Sequence, residues 1–387
     1  MIESSTSADS LSSAVVKLKK GADRRLLNGH LWVFSNEIDV EATPLRDFDA
    51  GQIVSVESNN GKALGFGYIN PATLISVRLL TGPHSSDLKV AVEDLLRTRL
   101  QQALALRQQL YAEPWYRLVH AEGDLLPGLV VDRFDDVLVV QVTTAGIERH
   151  SELIAEYLAE LTGVKVVHFD NRSRLRTLEN LGDVDRTPVG QLPELLTIHE
   201  NGCHFQVPAT GGQKTGWFYD HKENRATVAR QCKGKRVLDV YSYVGGWSIA
   251  AAVAGASEVT AVDSSRSAID HLDACAGLNS VSGRLKLMCD DAIDALKKLA
   301  AADEQFDVVI LDPPAFIKRK KDYKKGVQHY ELLNRLAAKL VAPGGLLATA
   351  SCSQAMPLAD LTAAARRGAT KSGKAVSYTH LTLPTKA

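Results

Sequence analysis

The sequence predicts an α/β chain: a doubly wound, mainly parallel sheet in the C-terminal half, preceded by a small β-barrel and a central α+β domain. Three observations predict it. From Gly211 onward, short strand-like apolar runs alternate with helical periods, the pattern of βα units feeding a parallel sheet. The first of those units, KRVLDVYSYVGGWS (Lys235–Ser248), passes from strand to small-residue turn to Ala-rich helix. An open sheet builds a ligand site that way, at the carboxyl end of its first strand. Ahead of it, residues 14–85 carry several short strands punctuated by glycine, which suits a small barrel. The expected layout is a disordered lead at 1–13, the barrel at 14–85, and a linker helix with the central domain at 86–207. The sheet domain follows at 208–367, and a non-native or disordered tail at 368–387.

Bulk properties narrow the function classes. The chain has 387 residues, 45% apolar and 23% charged, with a formal net charge of zero. A chain-wide basic field is excluded, so nucleic-acid binding would rest on local patches. The five cysteines (Cys203, Cys232, Cys275, Cys289, Cys352) form no CxxC pair, which argues against a zinc site or disulfide framework. With no signal-peptide pattern, this points to a reducing cytoplasm. No apolar run approaches the roughly 18 residues of a membrane span.

In the barrel, strands are expected at Val15–Leu18, Leu31–Phe34, Gln52–Val56, Ala63–Ile69 and Ile75–Leu80, with a hairpin at Asn60-Gly61. Lys17, Lys19, Lys20, Arg24 and Arg25 precede His30 and Trp32. They form either a solvated edge that discourages aggregation or a phosphate-contacting face. Apolar residues from Leu88 to Leu110 recur at helical spacing behind a Ser86 or Asp87 cap, giving a long linker helix. The central domain opens with the loop Ala121–Leu129. Strands follow at Val130–Val131, Val137–Val142 and Val164–Phe169, with one helix at Ile147–Leu161. Arg172, Arg174 and Arg176 alternate on one side if extended, as an RNA groove or a solvated edge. Asn201-Gly202 joins Leu195–His199 to Cys203–Val207 as a hairpin. In the last domain, strands are expected at Glu258–Val262, Leu285–Cys289, Phe306–Leu311 and Leu346–Ala350. Helices lie from Ser265, at Ile293–Ala301 and near Val327–Val341.

The chemistry is expected at the carboxyl ends of these strands. They carry Asp239, Asp263, Asp290 with Asp291, Asp312 and Cys352 in turn. Any one Asp there is readily a helix N-cap; four successive strand ends with carboxylates are harder to explain that way. Tyr241 and Tyr243 stand where a dinucleotide fingerprint wants glycines, which argues against NAD. Asp312-Pro313-Pro314-Ala315-Phe316 is the most specific stretch. Two prolines fix the loop and leave its carbonyls free, and Phe316 is suited to stack on an extruded base. The run Lys318–Lys325 adds six cations with Tyr323 interleaved, beside the site.

These stretches, with QKTGWFYDHKENR (Gln213–Arg225) and SCSQAM around Cys352, resemble class I S-adenosylmethionine (SAM)-dependent methyltransferases. The closest resemblance is to the large-subunit ribosomal RNA methyltransferase I family, which acts on carbon 5 of cytosine. It spans about residues 14–360 and includes an N-terminal part similar to a PUA RNA-binding domain and an EGD-x-LPGL-x-VDR signature at Glu122–Arg133. The resemblance implies a Rossmann-like methyltransferase domain, SAM as cofactor, large-subunit ribosomal RNA as partner and, in one arrangement, a homodimer. It also implies residue roles. Thr215, Phe218, Tyr219 and Asp220 would cover the cofactor. Asp239, Tyr241, Ser242, Tyr243 and Gly245 would hold its methionine part, Asp263 its ribose and Asp291 its adenine. Asp312 would face the target base and Cys352 would be the nucleophile. Pro313, Pro314, Phe316, Lys318, Arg319, Lys320, Lys321 and Tyr323 would meet RNA. No metal is implied. Two other readings stay open: methylation of an exocyclic amine of adenine or guanine, and an inactive RNA-binding assembly factor. The second gains weight from the C-terminus, where the two antiparallel strands that usually close such a sheet have no counterpart and VSYTHLTLPTKA looks foreign.

Overall fold

The computed structural model of the protein describes residues 14–85, 90–210 and 216–377. The expectations placed on 1–13, on the Ser86 or Asp87 cap, on Thr215 and on 378–387 lie outside the described residues. The described residues divide into two compact units, one comprising those up to 196 with 208–210 and 216–217, the other 197–207 with 218–377.

The first unit opens with β1 (Val15–Lys17), α1 (Arg24–Leu27), β2 (Trp32–Phe34), β3 (Gln52–Glu57), β4 (Ala63–Ile69) and β5 (Ile75–Thr81). They form a sheet in the order β1-β3-β4-β5-β2, with β1 parallel to β3 and the other pairs antiparallel. Val16, Val33, Val54, Leu64 and Val77, one from each strand, are fully buried in a single core.

The long helix α2 (Val92–Leu110) leads to β6 (Trp115–His120), β7 (Leu129–Phe134), β8 (Val137–Val142), α3 (Ala145–Glu148), α4 (Ser151–Thr162), β9 (Val166–Asn171), α5 (Leu175–Leu178) and β10 (Val184–Val189). Their sheet runs β10-β9-β8-β7-β6. The single helix expected at Ile147–Leu161 is two helices, bent at Arg149-His150. Gly146 lies so flat on the Tyr68 ring that a Cβ would sit 2.0 Å from it, so α3 is fixed by that contact and the chain turns before α4. The boundary drawn at residue 85 separates two sheets but not two cores. Phe66, Tyr68 and Leu80 share one apolar cluster with Leu96 and Leu100 of α2 and with Val131 and Val140 of the central sheet. Glu179 adds a buried polar tie, reaching Arg78 at 2.7 Å and Asn70 Nδ2 at 2.8 Å.

The arginine alternation is corrected by the structure. Arg176 sits on α5, 1% exposed, and donates to the Val142 and Gly182 carbonyls and to Glu148. Arg172 pairs with Asp170 at 2.6 Å. Only Arg176 is thus committed inside the fold; Arg172 and Arg174 are exposed, and because Arg176 sits on a helix the three do not alternate along one extended face. Strands β6 and β10 are additions to the expected set. The first has no clean polar–apolar alternation, and the second, VDRTPV, is a polar edge carrying a proline.

In the second unit the hairpin of β11 (Leu195–Glu200) and β12 (Cys203–Pro208) turns on Asn201 and Gly202, both at positive φ as a type I′ turn requires. Then come α6 (Lys222–Ala229), β13 (Arg236–Val240), α7 (Gly246–Val253), β14 (Glu258–Asp263), α8 (Arg266–Leu278), β15 (Leu285–Cys289), α9 (Ala292–Ala301), β16 (Phe306–Leu311), α10 (Tyr323–Leu340), β17 (Val341–Thr349) and α11 (Leu358–Lys371). Five parallel strands pair in the order β15-β14-β13-β16-β17, so the chain reverses direction across the sheet after β15. Such a reversal opens a crevice at the carboxyl ends of the strands on either side, here β14 and β13 against β16. Strand β17 ends the sheet among the described residues. Helix α11, unforeseen, runs through the boundary drawn at 367/368. It packs closely on α10, where a Cβ on Gly368 would meet the Glu331 carbonyl at 2.8 Å, and Glu331 pairs with Arg367 and Lys371. No helix among the described residues is long and apolar enough to cross a membrane.

Candidate active site

Asp239 lies inside β13 between β14 and β16 and is fully buried. Its Oδ2 accepts the Ser248 hydroxyl at 2.6 Å, while Oδ1 has no partner. Burial pushes its carboxyl up to about 7; the Ser248 bond opposes this, and the charges of Asp312 and Asp263 add to it. Just beyond, Tyr241 and Tyr243 hold φ of 69° and 50°, a region that side-chain-bearing residues enter at a cost. The backbone there is fixed by its neighbour strand, since Tyr241 and Ser242 both donate to the Val262 carbonyl. Ser242 is buried with its hydroxyl unpartnered. Gly245, at φ 89°, opens α7; a Cβ there would come within 2.7 Å of Leu272 Cγ.

Asp263 ends β14 and braces two turns. Its Oδ2 accepts from Tyr243 N and its Oδ1 from Ser265 N, each at 2.9 Å. Asp291 caps α9, accepting from Ile293 N and Asp294 N. The helix-cap reading weighed for it is thus realised, which leaves its second oxygen for a ligand. Asp290 pairs with Lys298 at 2.5 Å. Tyr241, Met288, Ile293 and Phe316 pack on one apolar cluster beside these carboxylates, a surface suited to a planar ring.

Asp312 follows β16. Trp247 Nε1 donates to its Oδ2 at 3.0 Å, and His221 Nε2 lies 3.5 Å from the same oxygen. Pro313 is buried and Pro314 exposed. Cys352, exposed at the end of the neighbouring strand β17, directs its thiol at the Pro313 carbonyl, Sγ to O 3.6 Å. Ser353, next in sequence, accepts Ile317 N at 3.1 Å and bonds Tyr330 OH at 3.0 Å. The thiol and the Asp-Pro-Pro loop are therefore stitched together. Phe316 is half-buried, with His329 4.2 Å and Tyr330 5.0 Å from its ring centre, so little of it is free to stack on a base.

The cationic run divides. Lys318, Lys320, Lys321, Lys324 and Lys325 are exposed and form no ion pair among the described residues, whereas Arg319 pairs with Asp322 at 3.3 Å. Tyr323 does not join the exposed face. Its hydroxyl bonds Asp360 and its ring packs between α10 and α11, so its expected RNA contact gives way to a packing role.

Phe218 is half-buried and meets Tyr243 edge to face at 5.9 Å; Tyr219 is buried and Asp220 exposed. Sequence reasoning missed what holds this segment. Arg225 grips Glu200 through two bonds of 2.6 and 2.9 Å and donates to the Phe218 carbonyl at 2.8 Å. His221, Trp247 and Ser353 were also missed. The only signal was their place inside the motif stretches, where Trp247 reads as a helix opener and His221 as one polar residue among several.

The residues present fit SAM. A buried carboxylate oxygen and a buried hydroxyl wait unpartnered beneath a cradle that has no room for a Cβ at Gly245. Asp239 would take the cation, Asp263 the ribose and Asp291 the adenine amine.

Comparison with known proteins places these features in context. A family model for SAM-dependent methyltransferases matches residues 160–372, and a PUA-like domain model matches 16–82. A protein of Enterobacter sp. (strain 638) named ribosomal RNA large subunit methyltransferase I is 33% identical over 88% of this chain and 85% of its own. Its namesake from Shewanella amazonensis is 36% identical, over 89% and 87%. Among solved structures, a protein from Streptococcus mutans described as a SAM-dependent methyltransferase superposes with a TM-score of 0.76 at 21% identity, covering 92% of this chain and 90% of its own. A second structure with the same match holds a methyltransferase in complex with SAH.

Proposed function

The chain belongs to the ribosomal RNA large subunit methyltransferase I family of SAM-dependent methyltransferases, and from that premise we propose that it methylates carbon 5 of a cytosine in large-subunit ribosomal RNA, with Cys352 as the nucleophile. The observation that carries this reading is the thiol of Cys352 seated 3.6 Å from the carbonyl of Pro313, the residue that follows Asp312.

Carbon 5 of cytosine is a poor nucleophile. Addition of the Cys352 thiolate to carbon 6 breaks the 5,6 double bond and moves its electron pair toward carbon 5, splitting one hard step into easier ones. Asp312 faces the target base and, through a proton it carries or a bridging water, stabilises the negative charge that thiolate addition leaves on the ring. When bound, SAM supplies an electrophilic methyl group on a positively charged sulfur. Once carbon 5 carries the methyl group, its proton passes to a water molecule, the bond to Cys352 breaks with its electron pair returning to the sulfur, and the aromatic ring is restored. Trp247 and Phe218 help to keep water out, and the prolines hold the loop so that positioning is prepaid. The five exposed lysines beside the loop supply the contacts to phosphate.

Cys352→Ala tests this reading. Transfer to ribosomal RNA should be lost while SAM affinity, by calorimetry, stays at the wild-type value. A variant that still transfers, with the methyl found on an exocyclic nitrogen by nucleoside mass spectrometry, would favour amine methylation, which needs no thiol. RNA binding without cofactor binding in the wild type would favour the assembly factor.

A further inference from the structure

The two oxygens of Asp312 have unequal surroundings. Oδ2 receives the Trp247 indole N–H and lies 3.5 Å from His221 Nε2, while Oδ1 has no hydrogen-bond donor among the described residues. The other ring nitrogen of His221, Nδ1, lies 3.3 Å from Asn224 Nδ2. An amide nitrogen only donates, so Nδ1 is the accepting nitrogen and the proton of the neutral ring sits on Nε2, toward Asp312. The His221 and Trp247 rings pack 5.4 Å apart, so the indole hydrogen bond and the His221 N–H, which approaches to 3.5 Å without closing a hydrogen bond, reach one oxygen from adjacent directions.

We propose that His221 is a positioning residue for methyl transfer: with Trp247 it fixes the Asp312 carboxylate so that Oδ1 alone is presented to the target base. This rests on the base-facing role given to Asp312 above. Pro313 and Pro314 constrain the backbone after Asp312, but the terminal torsion of an Asp side chain has a broad, soft well. The Trp247 hydrogen bond and the electrostatic pull of the nearby His221 N–H on the same oxygen together favour one orientation of the carboxylate plane. They come from different elements, Trp247 from α7 and His221 from the turn before α6, so both must be folded onto the loop for the selection to hold. The same turn carries Phe218 and Tyr219, which links the covering of the cofactor to the aim of the carboxylate.

A packing role and a positioning role part company when shape is kept and the donor removed. His221→Leu keeps most of the volume and loses the N–H; His221→Gln restores an N–H near the place of Nε2. Transfer to a large-subunit ribosomal RNA transcript at saturating SAM is measured for both, and for Asp312→Asn, with SAM affinity by calorimetry. His221→Leu should lower kcat by roughly tenfold to a hundredfold with SAM affinity unchanged, and His221→Gln should recover most of that loss. If His221→Leu fails to fold by circular dichroism, His221→Asn replaces it, because its amide is too short to reach Asp312. The proposal is overturned if the donor-less variant transfers at the wild-type rate, if the Leu and Gln variants are equally impaired, or if the loss lies in SAM affinity. Asp312→Asn separates the two levels. If it is inactive while His221→Leu is normal, only the positioning role falls; if it transfers normally, the role of Asp312 falls and this inference with it.

Discussion

Two buried carboxylates, one in each unit, show how differently the molecule treats charge. Asp132 and Asp239 are both fully buried on sheet strands. Asp132 meets Arg117 across the β6–β7 pair, with both oxygens bonded at 2.9 and 3.0 Å. Asp239 has no cation; it has one hydroxyl, one orphaned oxygen and two further carboxylates near enough to raise its proton affinity. The pattern extends beyond the pair. In the first unit Arg176 finds Glu148, Arg107 finds Asp124 and Arg78 finds Glu179. The fold completes those charges, whereas at the carboxyl edge of the parallel sheet it gives Asp290 a lysine but leaves the buried Asp239 without a cation. Burying an ion without its partner is costly. Where the cost persists, a ligand of opposite charge is the simplest completion.

The sharpest way to break this contrast is through pH. In the fold Asp239 keeps its proton to about pH 7, but in the unfolded chain only to about pH 4. As pH rises through that window the unfolded state loses the proton first, so cofactor-free stability falls, by an amount of order a few kcal/mol. Above about pH 7 the loss is complete. The melting temperature of Asp239→Asn minus that of the wild type should therefore grow from pH 5 to pH 8, while its SAM affinity drops. A difference that stays flat with pH would put Asp239 on the same footing as Asp132. The opposite response is expected at Asp132. Asp132→Ala removes both hydrogen bonds to the part-exposed Arg117 and should cost about 2 kcal/mol in denaturant unfolding, with SAM affinity unchanged. Gly245→Ala should cost about 2 kcal/mol, because φ 89° and the approach of Leu272 both oppose a side chain, and it should also weaken SAM binding. The smallest effect per residue belongs to the open lysines. Replacing Lys318, Lys320, Lys321, Lys324 and Lys325 with Gln should make RNA affinity less sensitive to salt. The log–log slope should flatten by about 0.7 for each single-strand phosphate that is no longer neutralised.

The parallel sheet was legible in the sequence because its strands are short apolar runs bounded by helical periods. Each strand end could be read off, and Asp263, Asp312 and Cys352 all lie where the ends placed them. The barrel strands were legible for the same reason, helped by Asn60-Gly61. What the sequence hid were matters of tertiary choice. Arg176 looks like a surface cation until the carbonyls of Val142 and Gly182 surround it. Tyr323 looks like a base-stacking ring until Asp360, 37 residues away, takes its hydroxyl. Strand β10 is polar on both faces and carries a proline, so no periodicity announces it. In the site, the carboxylates could be named from position, but their holders could not. His221 and Trp247 are 65 residues or more from Asp312, and nothing local marks them as its partners.

The hydroxyl of Ser353 has a consequence for timing. It ties the residue after Cys352 to Ile317 of the Asp-Pro-Pro loop and to Tyr330 of α10. A thermal excursion of the loop therefore carries thiol and prolines along together. Their separation fluctuates less than the position of any one of them, as the jaws of a caliper cut from one bar stay aligned when the bar is moved.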